Sequence, residues 1–401
     1  MTAFQEIAGN VVAAQGFTAA ATHCGIKPSE ARDLLLIRSD VRAAAAATLT
    51  TNRFRAAPTY VTQQAVADGF AQAIVANSGN ANCATGSQGR ENAQRMAAAA
   101  AAAAGVRQED VVVGSTGSIG VQLPIERIEE GIRQLGAALG RDDPDSIPTG
   151  IMTTDRWPKQ IAVEFEVDGV PVRLGAICKG AGMICPQMAT MLCFLTSDLA
   201  IAPPVLQGCL RRAVGLSFNC ISVDGDMSTN DTVAILANGL AGNVPIEADD
   251  DARLPVFQAA LDHCTWEMAR QIVANGEGMT KVLVVRVTGA ATYEEAHAVA
   301  RRVGNYLEVK AAVFWEQFNW GRICAAAGSA GVSFDPALVT IHFAGTKVWE
   351  RGEPVAFDRP QAEAALKAHE LEIAVDLGSG SHAATAWACD LSPEYVQLNK
   401  V

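Results

Sequence analysis

"QIAVEFEVDGVPVRLGAICKG", residues 160–180, holds two apolar runs either side of Asp168-Gly169. An Asp-Gly pair between such runs signals a hairpin, because the tight turn needs left-handed backbone that these two residues tolerate. A hairpin means antiparallel strands. Further out, however, strands alternate with helices. Upstream, "AQAIVANSGNAN" (71–82) reads as a strand ending in small polar residues, and "GRENAQRMAAAAAAAAGV" (89–106) as a helix closed by Gly105. "DVVVGSTGSIG" (110–120) is a strand entering a Gly/Ser/Thr turn, and "PIERIEEGIRQLGAAL" (124–139) a helix with proline near its start. Downstream the spacing predicts a helix over 203–216, a strand over 219–223, another in "TVAILANG" (232–239), and a long helix before "GEGMTKVLVVRVTGA" (276–290). A helix over 292–303, strands near 309 and 340, a helix over 360–369 and strands near 373 and 386 follow. Hairpins mixed with crossovers predict an α/β fold with mixed sheets. No internal repeat, domain boundary or low-complexity linker beyond the alanine run is visible.

The chain has 401 residues, 49% hydrophobic and 18% charged, enough to bury a substantial core. Net charge is −12. An acidic chain without a Lys/Arg block is not expected to bind nucleic acid or an anionic membrane, whereas a small anionic substrate needs only one or two local cations. The N-terminus lacks a basic n-region, and "MAAAAAAAAGV" is about half a membrane span. Ten scattered cysteines form no CxxC pair, so a cytoplasmic location is expected, with no zinc or disulfide framework.

Six polar loops follow apolar segments, where reactive groups are often presented. They are "NSGNAN" (77–82), "GSTGSIG" (114–120), "IMTTD" (151–155), "KGAGM" (179–183), "DGDMSTNDT" (224–232) and "GEGMTK" (276–281). "GSTG" can be a plain tight turn, or an oxyanion hole in which the Gly117 N–H and Thr116 hydroxyl face a developing negative charge. "DGDMSTNDT" carries Asp224, Asp226 and Asp231, but its glycine and terminal residue do not fit a calcium loop, and Asx and Ser/Thr turns explain it. No metal or dinucleotide motif is present.

Thr190 stands where "CPQMAT" (185–190) meets an apolar run. A threonine there can be a β-branched filler. Read as a nucleophile, it needs a base, and none of the six histidines lies in the polar loops. Lys179 remains, or the threonine's own α-amine, if the chain is cut before it.

"KGAGMICPQMATMLCFLTSD" (179–198) resembles the self-cleavage region of the ornithine acetyltransferases, arginine-biosynthesis enzymes also called glutamate N-acetyltransferases. "SGNANCATG", "GSTGSIG", "IMTTD", "SVDGDMSTNDT", "GEGMTK" and "NWGR" resemble the family's other blocks, in order, across roughly residues 16 to 399. The resemblance implies a DmpA/ornithine-acetyltransferase-like α/β fold, with mixed sheets layered against helices. It implies cleavage at Ala189–Thr190 into an alpha chain 1–189 and a beta chain 190–401. These would form one intertwined catalytic unit and assemble as two alpha and two beta chains. Thr190 would then carry acetyl from N2-acetyl-L-ornithine to L-glutamate, with its α-amine as base. No cofactor is implied, with acetyl-CoA left open as a co-substrate. Thr116 and Gly117 match the oxyanion hole; Thr153, Lys179, Thr190, Glu277 and Asn399 match substrate-binding positions.

Two stretches depart from the family pattern. "FWEQFNWGR" (314–322) puts Glu316, Gln317 and Phe318 where an Asp-Pro is usual, and the chain stops two residues after Asn399. Both are expected to affect substrate details rather than the nucleophile. Two other readings stand beside the acetyltransferase. One is an N-terminal-nucleophile aminopeptidase or amidase using the same threonine; the other is a degenerate amino-acid-binding regulator that stays uncut.

Overall fold

The computed structural model describes residues 4–185 and 191–400, which form two compact units. The first holds residues up to 180 together with 191–219 and 227–269; the second holds 181–185, 220–226 and 270–400. No linker marks the division, because the chain passes between the units several times. That is why composition alone gave no boundary.

In the first unit the elements run β1 (Phe4–Ile7), β2 (Phe17–Thr22), β3 (Leu34–Leu49), α1 (Ala57–Ala65), β4 (Phe70–Asn80), α2 (Gly86–Ala104), β5 (Val111–Ser118) and α3 (Ile125–Ala138). They continue as β6 (Lys159–Val167), β7 (Val170–Lys179), β8 (Leu192–Ser197), α4 (Pro203–Leu216), β9 (Thr232–Ala237) and α5 (Leu254–Ala274), whose last turn belongs to the second unit. One nine-stranded sheet has the order β1-β6-β7-β8-β9-β3-β4-β5, with β2 on β3. The predicted hairpin is β6–β7, antiparallel in unbroken register from Lys159↔Cys178 to Val167↔Val170. Asp168 (φ 52°) and Gly169 (φ 79°) make the left-handed turn. Parallel pairs β8–β9 and β4–β5 make the sheet mixed, as predicted.

Both faces of this sheet are buried. Leu34, Leu36, Ala73, Val75, Val111 and Val113 face α2 and α3, while Leu35, Ile37, Ile74, Ala76 and Val112 join Phe194 and Leu236 on the other side. The alanine run is α2, closed by Gly105 in the left-handed conformation. Its small side chains let α3 come close: a Cβ on Gly136 would stand 2.8 Å from the Ala103 carbonyl oxygen.

In the second unit follow β10 (Val282–Ala290), α6 (Tyr293–Gly304), α7 (Leu307–Phe314), α8 (Gly321–Gly328), β11 (Thr340–Phe343) and β12 (Thr346–Glu350). Then come β13 (Glu353–Pro354), α9 (Arg359–Ala365), β14 (Glu370–Asp376), β15 (His382–Cys389) and α10 (Pro393–Leu398). The sheet order is β13-β12-β11-β14-β10-β15, mixed through the parallel pair β10–β14. Its core gathers Val285, Val299, Val303, Phe343, Ile373 and Val375.

Two expectations are corrected. The strand expected near 309 is helix α7: its β-branched Val309 and Val313 are one helical turn apart and both buried, so packing overrides strand propensity. The strand expected over 219–223 is a short 3-10 turn at Phe218–Cys220 followed by a single bridge, Ile221 to Trp387. Residues 220–223 are all buried, and that burial rather than strand pairing accounts for their apolar run. Among the described residues no helix is long and apolar enough to cross a membrane.

Candidate active site

Strand β5 ends in Thr116, Gly117 and Ser118. Its pairing with β4 becomes irregular there: Gly79 faces Gly117, then Asn80 faces both Thr116 and Ser118. Gly117 has φ 131°, and a Cβ on it would stand 2.2 Å from the Gly79 carbonyl carbon, so no other residue fits. Thr116 is buried, whereas Gly117 is exposed, so the backbone turns outward where an oxyanion would need it.

This strand end is braced from two sides. Ser115 Oγ donates to Asn77 Oδ1 at 2.6 Å, and Asn77 Nδ2 donates to the Asn80 carbonyl at 2.8 Å. Asn230 Nδ2 donates to the carbonyls of Ala81 (2.6 Å) and Ser115 (2.9 Å). The "NSGNAN" and "DGDMSTNDT" loops therefore serve first as rigid supports for Thr116 and Gly117.

Lys179 closes β7, and its Nζ donates to Thr116 Oγ1 at 3.1 Å. The threonine oxygen thus accepts from an ammonium, and its own proton is directed elsewhere. Behind Lys179 lies buried Asp155. One of its oxygens accepts the Gly180 N–H (2.8 Å) and the Lys159 ammonium (2.5 Å); the other accepts the Thr153 N–H (2.9 Å). Burial would raise the Asp155 pKa, but Lys159, Lys179 and the Gly180 N–H outweigh it and hold the carboxyl near about 2. One carboxylate thus joins the Thr153 loop to the end of β7. Lys27 stands in the same field: burial lowers its pKa, Asp33 and Asp155 oppose this, and Lys179 adds to the lowering.

Sequence reasoning missed Asp155, Lys159 and Lys27. Asp155 was visible as the last letter of "IMTTD", but no pattern announces that Lys159 is fully buried. Asp231, counted only as a turn carboxylate, is also buried, and neither of its oxygens has a hydrogen-bond partner among the described residues. Burial pushes its pKa well up, against weaker opposing effects from Ser228 and Lys179. Its neighbour Thr232 donates its N–H to the Met191 carbonyl at 2.9 Å, fixing the residue that follows position 190. Ala189 and Thr190 themselves lie outside the described residues.

In the second unit, half-buried Glu277 donates its N–H to the Ala181 carbonyl at 2.9 Å. Its carboxylate accepts Asn399 Nδ2 at 2.7 Å. Gly182 must be glycine, since a Cβ there would stand 2.5 Å from that carboxylate. Asp224 accepts the N–H groups of Met183 (2.5 Å) and Ile184 (2.9 Å), and so holds the segment that leads into residues 186–190. Glu316 of the divergent loop pairs with Lys281 at 3.0 Å, and Phe318 stacks on Phe343 in the core. Those two changes are accounted for within the unit's own structure. All ten cysteines are free thiols.

The sequence matches the ArgJ family over residues 18–401. The chain belongs to the ArgJ family. The arginine biosynthesis bifunctional protein ArgJ of Symbiobacterium thermophilum is 47% identical over 395 residues, covering 98% of each chain. A crystal structure of the ArgJ protein of Bacillus halodurans is 38% identical, with a TM-score of 0.50; the match covers 99% of that chain and 52% of this one. The ornithine acetyltransferase of Mycobacterium tuberculosis, solved with ornithine, is 34% identical over 47% of this chain and 99% of its own, with a TM-score of 0.42. Within the ArgJ frame, the first unit brings together Thr116, Gly117, Lys179 and, through Asp155, Thr153. The second brings together Glu277 and Asn399.

Proposed function

We propose that this ArgJ-family chain is a self-processing acyltransferase of arginine biosynthesis, carrying acetyl from N2-acetyl-L-ornithine to L-glutamate on Thr190. The observation that supports the reading is the contact of Lys179, at the end of β7, with Thr116, beside Gly117 at the end of β5, which sets an ammonium against the hydroxyl assigned to the oxyanion hole. In the first event the Thr190 hydroxyl attacks the Ala189 carbonyl, the peptide C–N bond breaks, and water hydrolyses the resulting ester. This leaves a carboxylate on Ala189 and a free α-amine on Thr190. Such an amine titrates near pH 8, so it can take the proton of its own hydroxyl.

Transfer repeats the chemistry on substrate. The hydroxyl oxygen attacks the acetyl carbonyl, and the Gly117 N–H and Thr116 hydroxyl hold the oxyanion. The α-ammonium returns the proton to the departing ornithine amine, and the glutamate amine then takes acetyl from the ester. Donor and acceptor share an α-carboxylate, which suits Lys179; Glu277 suits the cationic end of ornithine. No cofactor is needed to hold the acetyl group, and acetyl-CoA would enter as a co-substrate acylating the same hydroxyl.

One feature supports the cut. Lys179 of β7 pairs with Leu192 of β8, so residues 180–191 join the ends of neighbouring strands that stay hydrogen-bonded if the connection is opened. The beta chain would keep 401 − 189 = 212 of 401 residues, and β8 at its start would still pair with β7 of the alpha chain. Both products would supply strands to the nine-stranded sheet, consistent with one intertwined unit, two of which would make an assembly of two alpha and two beta chains.

Intact-mass analysis tests the reading. Wild type should run as 1–189 and 190–401, and Thr190→Ala as one chain. Acetylornithine should add one acetyl mass to 190–401, and glutamate should remove it as acetylglutamate. Release of free acetate instead would make the protein an amidase. An active enzyme that remains full length would refute the mechanism.

A further inference from the structure

A concavity of about 410 Å³ in the first unit is lined by Arg53, Phe54, Arg55, Tyr60, the 84–87 turn and Arg90. In an acidic chain, three guanidiniums gathered without a carboxylate are unusual. Arg53 and Arg90 make no hydrogen bond or ion pair among the described residues, and both are exposed. Arg55 is held by neutral groups only, Thr59 and Gln63. Arg55 and Arg90 both stack on the Tyr60 ring, at 4.7 and 4.8 Å from its centroid, which fixes two of the forks.

The floor adds to the same potential. α2, nineteen residues long, starts at Gly86, and its first turn has no acidic residue and no side-chain cap. The capping residue, Thr85, donates its hydroxyl to Asn82 Oδ1 (2.8 Å) instead. Phe54, 76% exposed, lies at the wall with its ring unpacked. A large apolar ring in water beside three guanidiniums fits a ligand that is polyanionic at one end and planar at the other.

We propose that this cavity binds a nucleoside diphosphate, its phosphates on Arg53, Arg55, Arg90 and the start of α2, its base on Phe54. One carboxylate would engage one fork, so three forks and a helix start call for a group of two or more phosphates. The assignment does not depend on Thr190 being the nucleophile.

Calorimetric titration of the full-length protein with ADP and with inorganic pyrophosphate tests it. ADP should bind wild type, and Arg53→Ala and Arg90→Ala should each weaken both ligands by about tenfold or more. Phe54→Ala should weaken ADP severalfold and leave pyrophosphate unchanged. All three side chains are exposed, and retained circular dichroism would check each fold. The proposal is overturned if wild type does not bind ADP, or if ADP affinity is indifferent to both arginines. Equal losses of ADP and pyrophosphate in Phe54→Ala would also overturn the placement of the base.

Discussion

The end of β5 and the tail of the chain each present a polar side chain, but they hold it by opposite means. Thr116 is buried, fixed by the Lys179 ammonium and by a strand end that Asn77 and Asn230 brace from behind. Asn399 is exposed, follows a six-residue helix with no buried residue, and rests on Glu277 through one hydrogen bond. Geometry that must match a developing charge is costly to rebuild during each turnover, so a buried, fixed arrangement suits the oxyanion role proposed for Thr116. If Asn399 contacts a bound substrate, as proposed, that contact can be left loose. The contrast is therefore one of preorganisation, and it can be broken at either end.

The largest effect is expected behind Lys179. Asp155→Asn keeps the shape but removes the carboxylate that pairs with buried Lys159, so denaturant unfolding should show about 3–5 kcal/mol lost. A loss under about 1 kcal/mol would mean that the buried pair does not support the site. Next, Thr116→Ala, assayed on fully processed protein, should lower kcat by about 10²–10³ with little change in KM. Turnover at the wild-type rate would remove Thr116 from the chemistry and erase the comparison.

Acid gives a smaller, graded version of the first test. Asp155 has its carboxyl near about 2 when folded, against an ordinary 3.8. Its contribution is complete above the ordinary value and is lost as pH falls through about 2. That amounts to about 2 kcal/mol at neutral pH. Stability measured from pH 5 to pH 2 should fall more steeply in wild type than in Asp155→Asn; parallel curves would show that other carboxylates dominate. The smallest effect belongs to the tail. Asn399→Ala should change stability by less than about 0.5 kcal/mol and appear mainly in KM. A drop in kcat as large as that of Thr116→Ala would show that the tail is as preorganised as the strand.

What the sequence made legible follows the same division between local and long-range causes. The β6–β7 hairpin, the helix at Pro203–Leu216 and the Gly105 stop are written in short patterns, and all three appear where expected. α7 was misread because "LEVKAAVF" has strand-like residues whose helical state is decided by what buries Val309 and Lys310. Thr116, Gly117 and Lys179 were singled out because the loops carrying them are compact and unusual, and the structure brings Lys179 against Thr116. Lys159 and Lys27 were not found, since depth and electric field come from segments far away in the chain. The role of Asp224 as a clamp on Met183 and Ile184 depends on a contact forty residues away, and no local pattern encodes that.

The antiparallel pairing of β7 with β8 has a consequence for the history of the molecule. With Lys179 opposite Leu192, an intact chain registers these strands through a closed loop of a dozen residues, an event whose rate is independent of concentration. Once the connection is severed, the same sheet can be regained after denaturation only by two separate molecules meeting. A precursor held uncut by Thr190→Ala would then renature with first-order kinetics, while the mature form would renature more slowly the more it is diluted. The native state would be reached once, before the cut, and afterwards kept by the slowness of unfolding.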